Sequence, residues 1–180
     1  MLLLLQNQFI LYLACQYLGQ LPILTELSFY YSPSRSLNEH NYGSQNWHLD
    51  NDKSYRLKLF YSPYIVDETS GPTTFIPCCF TKGLAYPNYP GYFTDHEAKL
   101  AGFPIEKSCQ LTTRPDEFFL VDTSTCFHFG SRTSSGSRFL LIAGLSPHTS
   151  FLNPFKIRKL HSTAYGFPFY NRHLRYSAIL

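Results

Sequence analysis

Charge is scarce in this chain. Asp, Glu, Lys and Arg make up 15% of its 180 residues, and acidic side chains stop altogether at Asp122. With 44% hydrophobic residues, such a composition excludes a solvated, disordered polyelectrolyte and suits one domain with one substantial core. The formal net charge of +3 is too small to argue for a polyanion partner. The late basic residues, Arg132, Arg138, Lys156, Arg158, Lys159, Arg172 and Arg175, are spread without a dense block, so the simplest account is a solubilising face and no nucleic-acid partner is expected. Paired CxxC spacings are missing, as is any N-x-S/T sequon, and the cysteine count of 5 is odd. Neither a zinc ribbon nor a disulfide framework follows, and a reducing, cytoplasmic compartment is expected.

A long apolar run is also missing. Residues 1–24 carry no charge, but Gln6, Asn7 and Gln8 interrupt them early, where a membrane span needs about 20 mostly apolar residues. Leu2, Leu5, Phe9, Leu13 and Tyr17 recur at helical spacing, which predicts an amphipathic helix over about residues 1–19 packed on the domain and ending near Gly19. No P-loop, GxGxxG fingerprint or serine nucleophile elbow occurs.

Aromatics are abundant: 14 Tyr and 16 Phe, with 12 Pro and 10 Gly punctuating them. Aromatic side chains favour strands and pocket walls, and frequent turns belong to an all-β domain. Strands are expected over Ile23 to Tyr31, Tyr55 to Tyr64, Thr73 to Phe80, Phe118 to Phe129 and Arg138 to Leu145. Ser32 to Tyr42 reads as a polar loop, Asp67 to Pro72 and Ser131 to Ser137 as turns, and Lys82 to Pro104 as a long connection suited to a lid carrying Tyr86, Tyr89, Tyr92 and Phe93.

The chemical signal is Trp47-His48-Leu49-Asp50. Residues i and i+2 of a strand share a face, so an imidazole and a carboxylate point into one cavity and offer two of the three ligands of a two-histidine, one-carboxylate face for Fe(II). His128, in Cys126-Phe127-His128-Phe129-Gly130, is the candidate for the third; a histidine between phenylalanines is also a common core residue.

Taken together, these segments are similar to the phytanoyl-CoA dioxygenase-like family of Fe(II)/2-oxoglutarate oxygenases. The resemblance runs from about Leu24 to Phe155. It rests on Trp47 to Asp50, on Asp67-Glu68-Thr69-Ser70-Gly71-Pro72 leading to Phe75-Ile76-Pro77, and on His128-Phe129-Gly130-Ser131 followed by Arg138-Phe139-Leu140-Leu141. It implies a double-stranded β-helix (a jelly roll, cupin-like, all-β with peripheral helices), iron on His48, Asp50 and His128, and Arg138 on the far carboxylate of 2-oxoglutarate. The implied reaction hydroxylates a small or medium organic substrate and releases succinate and CO2, with Fe(II), 2-oxoglutarate and O2 required and ascorbate keeping the iron reduced. Tyr42 and Gln45, and less directly Lys58, are candidate contacts for the acid. Phe29 and Tyr31 are candidates for a pocket wall, though ordinary aromatic core packing is the simpler account of them. One departure stands out: where the family commonly has Pro-Gly-Ser-His, this chain has Pro77-Cys78-Cys79-Phe80. That change, with a short segment before Leu24, keeps open a second class of function, a cupin-like metal or small-molecule binding protein without turnover.

Overall fold

The computed structural model describes residues 5–35, 39–50, 57–84, 91–147 and the backbone of 175–179. Two sheets face one another. The larger takes β1 (Pro22–Ser32), β7 (Arg138–Pro147), β2 (Leu57–Tyr61), β5 (Glu117–Asp122) and β8 (Arg175–Ile179) in that order, antiparallel except for the β5–β8 pair. The smaller has β3 (Thr74–Ile76) between β4 (Cys109–Gln110) and β6 (Phe127–Phe129). Beyond β6 it continues by single bridges, His48 to His128 and Trp47 to Phe93.

The period-2 alternation of strand side chains sorts the residues into three apolar layers. Leu57, Leu59, Leu120, Ala143 and Leu145 face outward from the large sheet and pack against the helix α1 (Gln8–Leu18). Phe60, Phe75, Val121, Leu140 and Ile142 fill the space between the sheets. Trp47, Ile76, Phe93, Ala98, Phe103 and Phe127 cover the outer side of the small sheet, with α3 (Asp95–Leu100) supplying Ala98.

Helix α1 forms where the apolar periodicity predicts one, though it starts later. Asn7 caps it by accepting from the Phe9 N–H, and Gly19 closes it at φ 70°, a left-handed conformation that glycine adopts without a Cβ clash. Its buried stripe is Ile10 and Ala14, both fully buried, with Leu13 and Tyr17 beside them. Phe9, expected on that stripe, is 42% exposed, and Leu2 lies outside the described residues. Burial of Ile10 contributes about 1.5–3 kcal/mol. The Tyr17 hydroxyl adds a polar tie, donating to Asp122 Oδ2 at 2.5 Å.

The strands expected at Ile23 to Tyr31 and Arg138 to Leu145 are present as β1 and β7. The run from Thr73 to Phe80 is strand only to Ile76: Pro77 has no N–H to give a ladder, and Cys78–Thr81 turns into a short helix, α2. The run from Phe118 to Phe129 is two strands on opposite sheets. Asp122 breaks it, its Oδ1 accepting from the Ser124 N–H and hydroxyl to make the turn that carries the chain across. The long connection from Lys82 to Pro104 holds α3, capped reciprocally by Thr94 and Glu97.

Gly71 is required where two candidate segments cross. At φ 70°, a Cβ there would lie 2.6 Å from the Thr133 nitrogen and 2.7 Å from the Arg132 carbonyl carbon, both backbone atoms. The Asp67 to Pro72 turn thus lies directly against the chain that follows His128.

Candidate metal centre

Trp47 to Asp50 alternates across the small sheet. Trp47 and Leu49 point out into the aromatic layer, which leaves His48 and Asp50 to point in. Phe127-His128-Phe129 reads the same way: Phe127 and Phe129 join the outer layer and His128 faces the interior. The phenylalanines flanking His128 therefore bury away from it, on the other side of the sheet. Paired backbone bonds, His48 N–H to His128 O and His128 N–H to His48 O, both 2.9 Å, hold the two histidines directly opposite one another. Their rings are 4.3 Å apart.

Both imidazoles are oriented by the same device. His48 Nδ1 donates to the Asn46 carbonyl at 2.8 Å, and His128 Nδ1 donates to the Cys126 carbonyl at 2.9 Å. A carbonyl only accepts, so the proton sits on Nδ1 and each Nε2 presents its lone pair to the interior. Asp50 Oδ1 lies 3.8 Å from His48 Nε2 and 4.0 Å from His128 Nε2, and the three ligand atoms fall within 4.8 Å of one another. Two ligands on one ion at about 2.1 Å each stand at most about 4.2 Å apart, so both Asp50 contacts are within that limit and the imidazoles need close only slightly.

The electrostatics favour a ligand set ready for a cation. Burial lowers the pKa of His48; burial, then the neighbouring His48, brings His128 down to about 4. Both rings are therefore neutral at pH 7. Burial works against charge on Asp50, but His128 and Lys58 outweigh it and hold the carboxyl at about 2, so it is ionised. Two neutral imidazoles and one carboxylate are the donor set that suits non-heme Fe(II).

Arg138 begins β7 and is 4% exposed. Its guanidinium donates to Ser131 Oγ at 2.7 Å and to Thr73 Oγ1 at 3.3 Å, while its Nε has no partner among the described residues. Among the described residues no carboxylate pairs with it. Burial pulls its pKa down to about 10, which still leaves a cation at neutral pH. A Cβ on Gly130 would stand 3.4 Å from Arg138 Nη2, so this buried charge adjoins the β6 chain two residues beyond His128. Ser131, which receives it, sits at φ 61° and also accepts from the Ser32 hydroxyl at 3.0 Å. A non-glycine residue at positive φ carries strain, and here it aims a hydroxyl at the cation. A pocket lined by Phe60, Tyr61, Thr73, Leu111, Phe119 and Leu140 opens onto Arg138; the histidines and Asp50 do not line it.

The other sequence candidates scatter. Gln45 is near: its Nε2 donates to the Ser131 carbonyl at 3.3 Å and its own carbonyl accepts from Arg132 Nε. Tyr42 is not brought to the group; its ring is 86% exposed and its N–H donates to Gln45 Oε1. Phe29 and Tyr31 stand on the outer face of the large sheet, 59% and 56% exposed, against Phe139. They line no inner wall, because beyond the register shift between Leu24 and Glu26 the odd-numbered residues of β1 face away from the interior. Of the lid residues, Phe93 is packed in the outer aromatic layer, and Tyr86 and Tyr89 lie outside the described residues. Among the described lid residues Tyr92 approaches, its ring 5.1 Å from that of His48. Lys58 Nζ reaches Asp50 Oδ2 at 2.6 Å, and Glu26 stands behind it at 3.7 Å. Sequence reasoning missed Glu26, although it is the one charge in the strand Pro22–Ser32.

Comparison of this architecture with solved structures gives matches at 12–15% identity. The epimerase SnoN, solved in complex with Fe3+, alpha ketoglutarate and nogalamycin RO, superposes with a TM-score of 0.55 over 95% of this chain and 66% of its own. AviO1 from Streptomyces viridochromogenes Tue57 gives 0.54 over 81% and 60%, and the non-heme monooxygenase ThoJ 0.52 over 77% and 52%. The fold is the double-stranded β-helix. The chain spans between about half and two thirds of the length of these structures. No family model and no curated protein matches it by sequence. In the double-stranded β-helix of this chain, the interior between the two sheets is where His48, Asp50 and His128 converge, opposite the sheet that carries Lys58 and Arg138.

Proposed function

We propose that the protein is an Fe(II)- and 2-oxoglutarate-dependent oxygenase that hydroxylates a small or medium organic molecule. The observation that carries this reading is Arg138: a buried cation with no carboxylate partner among the described residues, packed against Gly130, two residues beyond a histidine that faces a second histidine and an aspartate. Burying a lone charge is costly unless a ligand of opposite sign completes it. An arginine fork suits a carboxylate. The formal charges agree. Asp50 and Glu26 balance Lys58 and Arg138, so a dication and a dianion can enter together without adding net charge to the interior.

In this reading His48, His128 and Asp50 hold the iron, and their Nδ1 tethers and the Lys58 contact keep them aimed. Arg138 pairs with the far carboxylate of the acid, and the Thr73 and Ser131 hydroxyls keep the guanidinium plane in place. Gln45 steadies Ser131 from behind. Tyr92, exposed beside His48, borders the approach from solvent. The iron, once bound, supplies O2 activation coupled to conversion of 2-oxoglutarate to succinate and CO2. A reducing, cytoplasmic setting is part of this proposal. No described helix is long and apolar enough to cross a membrane.

One observation favours the alternative of a binding protein without turnover: the pocket on Arg138 does not extend to the histidines, because Phe60, Phe75, Val121 and Ile142 pack between the sheets. Succinate release from 2-oxoglutarate with Fe(II), ascorbate and O2, screened against a small-molecule panel, tests the choice. Succinate formation supports the oxygenase. Iron and 2-oxoglutarate bound without any succinate support the binder, and turnover only with a peptide or oligonucleotide overturns the substrate class.

A further inference from the structure

The two oxygens of Asp50 have different partners. Oδ1 faces the Nε2 atoms of His48 and His128, whereas Oδ2 is in contact with Lys58 Nζ at 2.6 Å. We infer that Lys58 is a positioning residue: it caps the outer oxygen of Asp50, holds the carboxylate to one-oxygen ligation of the metal, and so keeps a coordination position open for an incoming ligand. This rests on the reading of His48, Asp50 and His128 as a metal centre.

The chain builds the capping device across three strands and both sheets. Lys58 on β2 and Glu26 on β1 lie in one row of the large sheet, each paired with Gly144 of β7. Gly144 separates them by a strand and contributes no side chain, so the two ions meet over its backbone at 3.7 Å. Glu26 is itself steadied by the Ser28 hydroxyl, which donates to Oε1 at 3.1 Å, and the β1 register shifts between Leu24 and Glu26 to bring this acid into the row. The Lys58 side chain is 12% exposed, so its stem spans the dry space between the sheets and delivers the ammonium to the opposite layer. A carboxylate of this kind could chelate through both oxygens. Turning Oδ2 toward the metal would either break a charge-assisted contact or draw an ammonium toward a dication, each unfavourable in a low-dielectric interior.

A lysine that merely supports the fold and one that caps Asp50 make opposite predictions. Removing a like charge from beside a metal should tighten metal binding, whereas loosening a site should weaken it. The probe is Co(II) alone, whose visible absorption reports coordination number, with azide as the test ligand, on the parent, Lys58→Met and Lys58→Gln. Lys58→Met should bind Co(II) roughly ten-fold more tightly, shift the absorption toward higher coordination, and bind azide roughly ten-fold more weakly as Oδ2 takes the open position. Lys58→Gln, which still donates to Oδ2 but lacks charge, should keep the parent absorption and azide affinity. A Lys58→Met protein with the parent's absorption and azide affinity overturns the inference and leaves the metal centre standing; so does equal loss of Co(II) from both variants. A parent chain that binds no Co(II) overturns the metal centre itself. Should Lys58→Met fail to fold, Glu26→Gln carries the test: Lys58 stays but loses its anchor, and azide affinity should fall several-fold, an unchanged value overturning the capping role.

Discussion

Replacing Arg138 by Met should weaken 2-oxoglutarate binding while leaving the stability of the ligand-free protein nearly unchanged. In the parent, burial alone moves the arginine from its ordinary 12.5 down to about 10. At about 1.36 kcal/mol per pKa unit, the folded state carries an uncompensated penalty on the order of 3 kcal/mol for that charge. Methionine removes it and keeps most of the stem's volume. The loss is the pair of hydrogen bonds to Thr73 and Ser131; a bond to a charged group is worth about 1.5–3 kcal/mol at good geometry, and the 3.3 Å contact to Thr73 less. The two effects nearly cancel, so the ligand-free variant should lie within about 2 kcal/mol of the parent; for a chain of this size that is a Tm within about 8 °C of the parent's. Ligand binding should weaken. Truncating one side of a buried charge pair costs about 2–5 kcal/mol, which at about 1.4 kcal/mol per decade is roughly a thirty- to several-thousand-fold weaker Kd. Arg138→Lys keeps the charge, loses the fork, and should fall at the low end. Anaerobic calorimetric titration of 2-oxoglutarate into the Fe(II)-loaded protein gives the affinity, and thermal unfolding followed by circular dichroism gives the stability. A parent-like Kd in Arg138→Met refutes the cosubstrate role. A ligand-free variant several kcal/mol less stable than the parent refutes the claim that the charge waits for a partner.

Three further outcomes are expected. His128→Ala should lower bound Fe(II) sharply from one per chain while the far-ultraviolet circular dichroism stays that of the parent; unchanged metal content by elemental analysis counts against the ligand set. Tyr17→Phe should destabilise by about 1.5–3 kcal/mol in urea melts, because a hydroxyl bond to a carboxylate ties α1 to the large sheet. Burial and Asp122 raise the Tyr17 pKa above its ordinary 10.0, so this stabilisation is complete below pH 10 and is lost as pH climbs through the raised value; a difference between parent and variant that persists unchanged at high pH contradicts it. Gly71→Ala should cost about 3 kcal/mol or more, since the new Cβ meets Thr133 and Arg132 backbone at positive φ, and near-parent stability in the same urea melts would contradict that close approach.

The residues themselves carry much of the site. Trp47-His48-Leu49-Asp50 is legible because strand periodicity is local: once the segment is extended, an apolar-out, ligand-in alternation follows from the order of four residues. The same holds for Phe127-His128-Phe129, whose flanking rings look like core packing and are, but on the opposite side of the sheet from the imidazole. Helix α1, the β1 and β7 strands and the turn before Arg138 follow from periodicity and from Gly, Pro and Ser punctuation in the same way. What local pattern cannot supply is register between distant strands. That His48 and His128 face each other is decided by a two-bond bridge across 80 residues of chain, and that Lys58 meets Asp50 rather than an incoming acid depends on the β1–β7–β2 row at Gly144. Tyr42 and Tyr92 are equally aromatic neighbours of turns in the sequence; only the packing of the chain around Phe93 brings Tyr92 against His48 and leaves Tyr42 in solvent. Side-chain type and spacing fix which atoms can act as ligands, while pairing register and layer order, set by the total burial of apolar surface over the whole chain, decide which of them meet.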